Sequence, residues 1–173
     1  MGVLMLNKML AEQFFDMSTP MDQRIALLAP DYIQHNPIFV RFDDLNHVTG
    51  RAGFQMFIDT MTKLNGGTGP FPLPGTPRMR MPKNEPKANM LYQVMASPDF
   101  VTVIHEQYRP DPAHRGQFYP VYSFDSWRVA NGEFTEHWDG AMLPARLPIW
   151  LRVPADKLHY PRPKHAAAHH AGA

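Results

Sequence analysis

Cysteine is missing from the chain, which excludes disulfides, thiolate metal sites and a cysteine nucleophile but leaves the compartment open. Neither sign of charge is in excess: 17 lysines and arginines stand against 16 aspartates and glutamates, for a net charge of +1. With no basic run either, neither nucleic acid nor an anionic membrane surface is an expected partner. No apolar stretch reaches the length of a membrane span, and Met1 to Lys8 lack a basic segment followed by an apolar run. The expectation is a cytoplasmic chain without a signal peptide. Phosphate-loop and nucleophile-elbow chemistry are absent too. Gly66-Gly67-Thr68-Gly69 runs into Pro70 instead of a helix, and no Gly-x-Ser-x-Gly occurs. No internal repeat is visible.

What is present describes a globular protein. An apolar fraction of 44% and an aromatic fraction of 12% over 173 residues suit one domain with a sizeable core. Twelve methionines and eleven phenylalanines suggest an adaptable apolar interior, suited to a greasy or aromatic ligand. The eighteen prolines gather mainly in Pro70–Pro86 and Pro144–Pro163, which read as irregular chain. His165 to Ala173 reads as a flexible end, not a metal site. The chain therefore divides into a domain over residues 1–143 and a proline-rich extension with a His/Ala tail over 144–173.

Periodicity gives the order of elements. Leu6, Met9, Leu10 and Phe14 recur at helical spacing and predict a first helix over about residues 4–16. Ser18-Thr19-Pro20 supplies a cap and a first-turn proline for a short second helix through Leu28. Phe54, Phe57, Ile58, Met61 and Leu64 form the clearest apolar stripe, on a helix from about Arg51 to Gly66-Gly67. Beyond the first proline-rich loop, Met90–Val94, Val101–Tyr108, Tyr119–Val129 and Phe134–Leu143 read as strands, and Arg78–Met81 is a further possible strand. Helices first and antiparallel strands after is an α+β plan, with helices on one face of a curved sheet.

The most informative stretch is Phe124 to Asp139. Asn131-Gly132 lies between two runs rich in aromatic and β-branched residues, a strong signal for a two-residue hairpin. In the simple register Val129 pairs with Phe134, Trp127 with Glu136 and Asp125 with Trp138 on one face. Arg128 with Thr135, Ser126 with His137 and Phe124 with Asp139 share the other. The first set is the more apolar and is expected to face the core, leaving His137 and Asp139 outside; a one-residue slip would exchange the faces. Asp125 then points into an aromatic interior with Glu136 nearby. A carboxylate there is expected to have a raised pKa, which suits a general acid or base. The alternative is a carboxylate tied to a backbone amide or an arginine as part of the architecture.

Histidines supply partners. His105 shares the face of Val101 and Val103 and is either a hydrogen-bonded core residue or a partner of Asp125. His35 lies just before Pro37 and either satisfies a local turn or reaches a cavity mouth. His47, His114 and His159 read as surface. His35, His105 and Asp125 match the facial-triad ligand set, but no pair among them has the spacing of a metal motif, so no metal is expected.

Leu27-Leu28-Ala29-Pro30-Asp31-Tyr32-Ile33-Gln34-His35-Asn36-Pro37, then Gly50-Arg51-Ala52-Gly53-Phe54, then Glu136-His137-Trp138-Asp139 resemble the SnoaL-like polyketide cyclase family of the nuclear transport factor 2-like superfamily. The resemblance covers about residues 5–143. It implies a cone-shaped curved antiparallel sheet capped by N-terminal helices, with a pocket inside and often a homodimer. It also implies cofactor-free acid–base catalysis of the cyclase, isomerase or aldol type on an apolar carbonyl substrate. That superfamily includes non-catalytic members as well, so the alternative is a binding protein for a hydrophobic small molecule. The resemblance carries the catalytic role to Asp125, assisted by His105 and His35. Tyr32, Asn36, Trp127, Glu136 and Trp138 are the expected substrate-binding residues.

Overall fold

The computed structural model describes residues 2–70, 93–111 and 113–140. The proline-rich stretch after Pro70, the possible strand Arg78–Met81 and the extension over 144–173 lie outside these described residues.

Among the described residues, four helices and five strands follow one another as α1 (Val3–Phe15), α2 (Met21–Ile25), β1 (Leu28–Gln34), α3 (Pro37–Asn46), α4 (Gly50–Leu64), β2 (Gln93–Ala96), β3 (Phe100–Pro110), β4 (Phe118–Ala130) and β5 (Glu133–Asp139). The strands form one curved sheet in the order β1-β5-β4-β3-β2. The α+β plan holds, with one correction: the sheet is mixed, because β1 runs parallel to β5. Neither β1 nor α3 is foreseen by the periodicity. β1 contains Pro30, which an edge strand tolerates because its missing N–H can face away from the ladder. α3 opens on a compact signal, Asn36-Pro37: the Asn36 Oδ1 accepts from the Ile38 N–H at 2.9 Å, and Pro37 takes the first helical position.

The core gathers between α1, α4 and the inner face of the sheet. Trp127, Phe134, Phe57, Leu28 and Met61 are fully buried there. Phe14 and Phe15 of α1 lie 5.7 and 5.4 Å from the Trp127 ring, which ties the first helix to β4. The stripe expected on α1 is turned: Leu6 and Met9 are exposed, while Asn7 and Ala11 are buried. Asn7 is held there by its Nδ2, which donates to the carbonyls of Ser97 and Pro98.

The hairpin turn forms as expected, with Asn131 at φ 54° and Gly132 at φ 78°, the left-handed pair that a type I′ turn requires. Ala130 pairs with Glu133 and Val129 with Phe134. The register then shifts. Arg128 pairs with Glu136, Trp127 with His137, Ser126 with Trp138 and Asp125 with Asp139. Thr135 is the extra residue, a bulge that reverses the facing of everything after it in β5. The simple register is thus corrected: His137 and Asp139 join Asp125 and Trp127 on the inner face, and Glu136 and Trp138 turn to the outer one.

Gly50 begins α4 at φ 68°, where a Cβ would sit 2.4 Å from the Pro30 carbonyl oxygen of β1. Gly132 has a similar φ but open space around it. In urea denaturation Gly50→Ala is expected to cost about 2 kcal/mol or more and Gly132→Ala about 1 kcal/mol, since only the first adds a clash to backbone strain.

Candidate active site

Three strands deliver the polar floor of an apolar cavity. β1 alternates Tyr32, Gln34 and, just past its end, Asn36 toward the inside. β4 adds Asp125 and Trp127, and the bulge brings His137 and Asp139 of β5 opposite them. Phe14, Phe15, Phe39, Phe54, Phe57 and Ile58 supply apolar lining from the helices. The cavity holds about 240 Å³. A cavity of roughly 150 Å³ accepts benzene, so this one has room for a substituted aromatic ring.

Asp125 lies between two imidazoles. Its Oδ1 is 3.0 Å from His137 Nε2, and its Oδ2 is 2.8 Å from His105 Nε2. Burial pushes the Asp125 carboxyl up, but hydrogen bonds from His105 and then His137, with their charge, outweigh it and bring it down to about 2. The expected raised value is therefore corrected. Apolar surroundings alone would raise it, but the two ring nitrogens stabilise the anion more than burial penalises it.

Gln34 sets the proton pattern. Its Oε1 accepts from the Asn36 backbone N–H at 3.0 Å, and a backbone N–H can only donate, so the amide orientation is fixed. The same Oε1 lies 2.8 Å from His137 Nδ1, which must then carry a hydrogen. His137 Nε2 in turn faces Asp125 Oδ1 at 3.0 Å, with one hydrogen between them. The Trp127 ring stacks on His137 at 4.7 Å and closes that side from water.

Two hydroxyl and amide groups complete the floor. The Tyr32 hydroxyl accepts from Gln34 Nε2 at 3.3 Å, which leaves its own proton for another acceptor. Burial holds this hydroxyl well above the usual tyrosine range, so it stays protonated. Asn36 Nδ2 donates to Asp139 Oδ2 at 2.7 Å while its Oδ1 caps α3. Asp125, His137 and Asp139 each present a ligand atom within 4.8 Å of the others, a set that could also hold a divalent cation in place of the shared proton. The set His35, His105 and Asp125 does not assemble.

Of the residues singled out from the sequence, Asp125, Trp127, Tyr32 and Asn36 line the cavity, and His105 backs Asp125. His35, Glu136 and Trp138 are elsewhere. They lie on the outer face of the sheet, where His35 Nε2 meets Glu136 Oε1 at 2.9 Å and the His35 ring stacks on Trp138 at 5.1 Å. Arg128 Nε donates to Glu136 Oε2 at 3.1 Å, so the fully buried Glu136 is paired twice. His137, Asp139 and Gln34 were missed as site residues. Gln34 could have been found by its alternation with Tyr32 and Asn36, whereas nothing local marks Thr135 as a bulge.

A second cavity, of about 280 Å³, is lined by Asp31, Asp43, Asp44 and Thr49 among others. Burial, and then the charge of Asp44, raises the Asp43 carboxyl to about 7.

No family model and no curated protein matches the sequence. Solved structures similar to this chain include TerC co-crystallised with polyporic acid, 14% identical over 78% of this chain and 89% of that one, with a TM-score of 0.46. A Jannaschia protein assigned as a SnoaL-like polyketide cyclase is 13% identical over 81% and 89%, with a TM-score of 0.45. A nuclear transport factor 2-like protein of unknown function from Burkholderia pseudomallei is 14% identical over 80% and 90%, with a TM-score of 0.42. Among the described residues no helix is long and apolar enough to cross a membrane.

Because the folded Asp125 carboxyl sits below its unfolded value near 4, the stability it contributes is complete above pH 4 and is lost as pH falls toward 2. Two units correspond to about 2–3 kcal/mol. Chemical denaturation at pH 5, 4, 3 and 2 should show this loss in the wild type and a clearly smaller one in Asp125→Asn.

Proposed function

We propose that the chain is a cofactor-free enzyme that moves a proton on an apolar, carbonyl-containing small molecule, by chemistry of the cyclase, isomerase or lyase type. One observation carries this reading: a single carboxylate held by two imidazole nitrogens at 2.8 and 3.0 Å on the floor of an aromatic cavity. Asp125 is the group that touches the reacting atoms. It accepts a proton from the carbon beside the carbonyl, and the Tyr32 hydroxyl donates to the oxygen as enolate charge develops there. A protonated Asp125 attracts His137 less, so the hydrogen bond between them loosens as the proton arrives. Returning the proton to a different atom completes an isomerisation or a ring closure. A carboxylate held near 2 is ionised throughout the neutral range, so the basic form of Asp125 is the one that meets the substrate.

The low Asp125 value also favours a second reading, in which the paired carboxylate only anchors the polar end of a bound hydrophobic molecule. Deuterium exchange separates the two without knowledge of the natural substrate. In D2O, the α-hydrogens of 1-tetralone should exchange faster with wild-type protein than with Asp125→Asn, by about 10²-fold or more. The exchange should survive dialysis against EDTA. Equal exchange by wild type and Asp125→Asn would overturn the catalytic reading and leave the binding one.

A further inference from the structure

Arg24 of α2 lines the same cavity from the helical side and is nine-tenths buried. Its Nε donates to the Phe14 carbonyl at the end of α1, and its Nη1 lies 3.6 Å from the Met17 sulfur. A guanidinium carries five N–H donors, and these contacts satisfy at most two of them. No carboxylate comes within 4.0 Å of it among the described residues. The nearest candidate on its own side, Asp16, spends its oxygens on the Ser18 backbone N–H and hydroxyl at 2.7–2.8 Å. The remaining charged groups of the cavity, Asp125, His137 and Asp139, belong to the sheet floor, where each already has a hydrogen-bond partner.

Asp16 lends Arg24 its charge from beyond hydrogen-bond reach and the Phe14 ring lies 5.6 Å from the guanidinium, but neither fills the remaining N–H donors, which a ligand anion in the cavity would. A guanidinium suits a carboxylate in particular, because its planar fork meets both oxygens. Resting on the small-molecule reading of this cavity, we propose that Arg24 receives a carboxylate on the substrate. The cavity then selects aromatic or apolar carboxylic acids, with the acid group at α2 and the reacting carbonyl at Asp125. Arg24 is a substrate-binding residue on this account, and its bond to Phe14 holds the guanidinium in place.

The test uses two probes that differ in charge but hardly in shape, 1-naphthoate and 1-naphthamide, titrated calorimetrically into the full chain. Wild type should bind the naphthoate at least about 10-fold more tightly, the worth of one charge-assisted pair. Arg24→Gln should bring the two affinities together, and Arg24→Lys should keep part of the preference. The wild-type comparison stands even if Arg24→Gln fails to fold. Equal affinities in the wild type, no binding of either probe, or an undiminished preference in a folded Arg24→Gln would each overturn the proposal. Exchange of the neutral 1-tetralone is read separately. Lost anion preference with exchange intact removes the Arg24 site alone, and absent exchange with the preference intact removes only the acid–base reading.

Discussion

The hydrogen-bond register between β4 and β5 decides which side chains meet over the cavity, and the extra residue at Thr135 decides the register. Without it, Asp125 would face Trp138, and His137 would look outward beside Ser126. With it, His137 and Asp139 come inside, and the carboxylate gains an imidazole neighbour. A bulge is a local event in one strand, but its effect runs the whole remaining length of β5 because strand facing has a period of two. The electrostatics of the floor therefore rest on a backbone irregularity as much as on the side chains themselves.

That irregularity also sorts the charges into two separate sets. Inside, Asp125 is shared by His137 and His105. Outside, Glu136 is shared by His35 and Arg128, under a stack in which Trp138 lies against His35 and the Arg128 guanidinium covers the Phe100 ring at 4.4 Å. Each set is one carboxylate with two basic partners, which is the usual condition for burying an acid. The two are separated by the thickness of the sheet. Only the inner one adjoins the cavity.

Much of this was legible in the sequence. Asn131-Gly132 demanded left-handed backbone at both positions and obtained it, and the Phe54–Leu64 stripe marked α4 to within a residue at its start. Asp125 and Trp127 were legible as cavity residues because alternation along β4 is regular where they sit, and Tyr32 and Asn36 were legible only through the family resemblance. What failed has specific causes. β1 was hidden by Pro30, whose place at a sheet edge is a tertiary fact. The facing of β5 past Thr135 was hidden because threonine is as comfortable in a regular strand as in a bulge. The sign of the Asp125 shift was missed in part for the same reason: His105 was in view as a partner, but His137, the second histidine that lowers it, faces the far side in the simple register.

The parallel pairing of β1 with β5 has a consequence for how the molecule assembles. Gln34, which orients His137, and Asn36, which holds Asp139, each reach a partner 103 positions further along the chain. Contacts of that span close late, after local helices and the Asn131-Gly132 hairpin have formed, because chain entropy opposes long loops until other contacts shorten them. During synthesis the N-terminal half emerges with Tyr32, Gln34 and Asn36 on a strand whose neighbour does not yet exist. The polar floor is thus among the last parts of the protein to come into being, and a nascent chain carries its aromatic helices without the sheet that they cover.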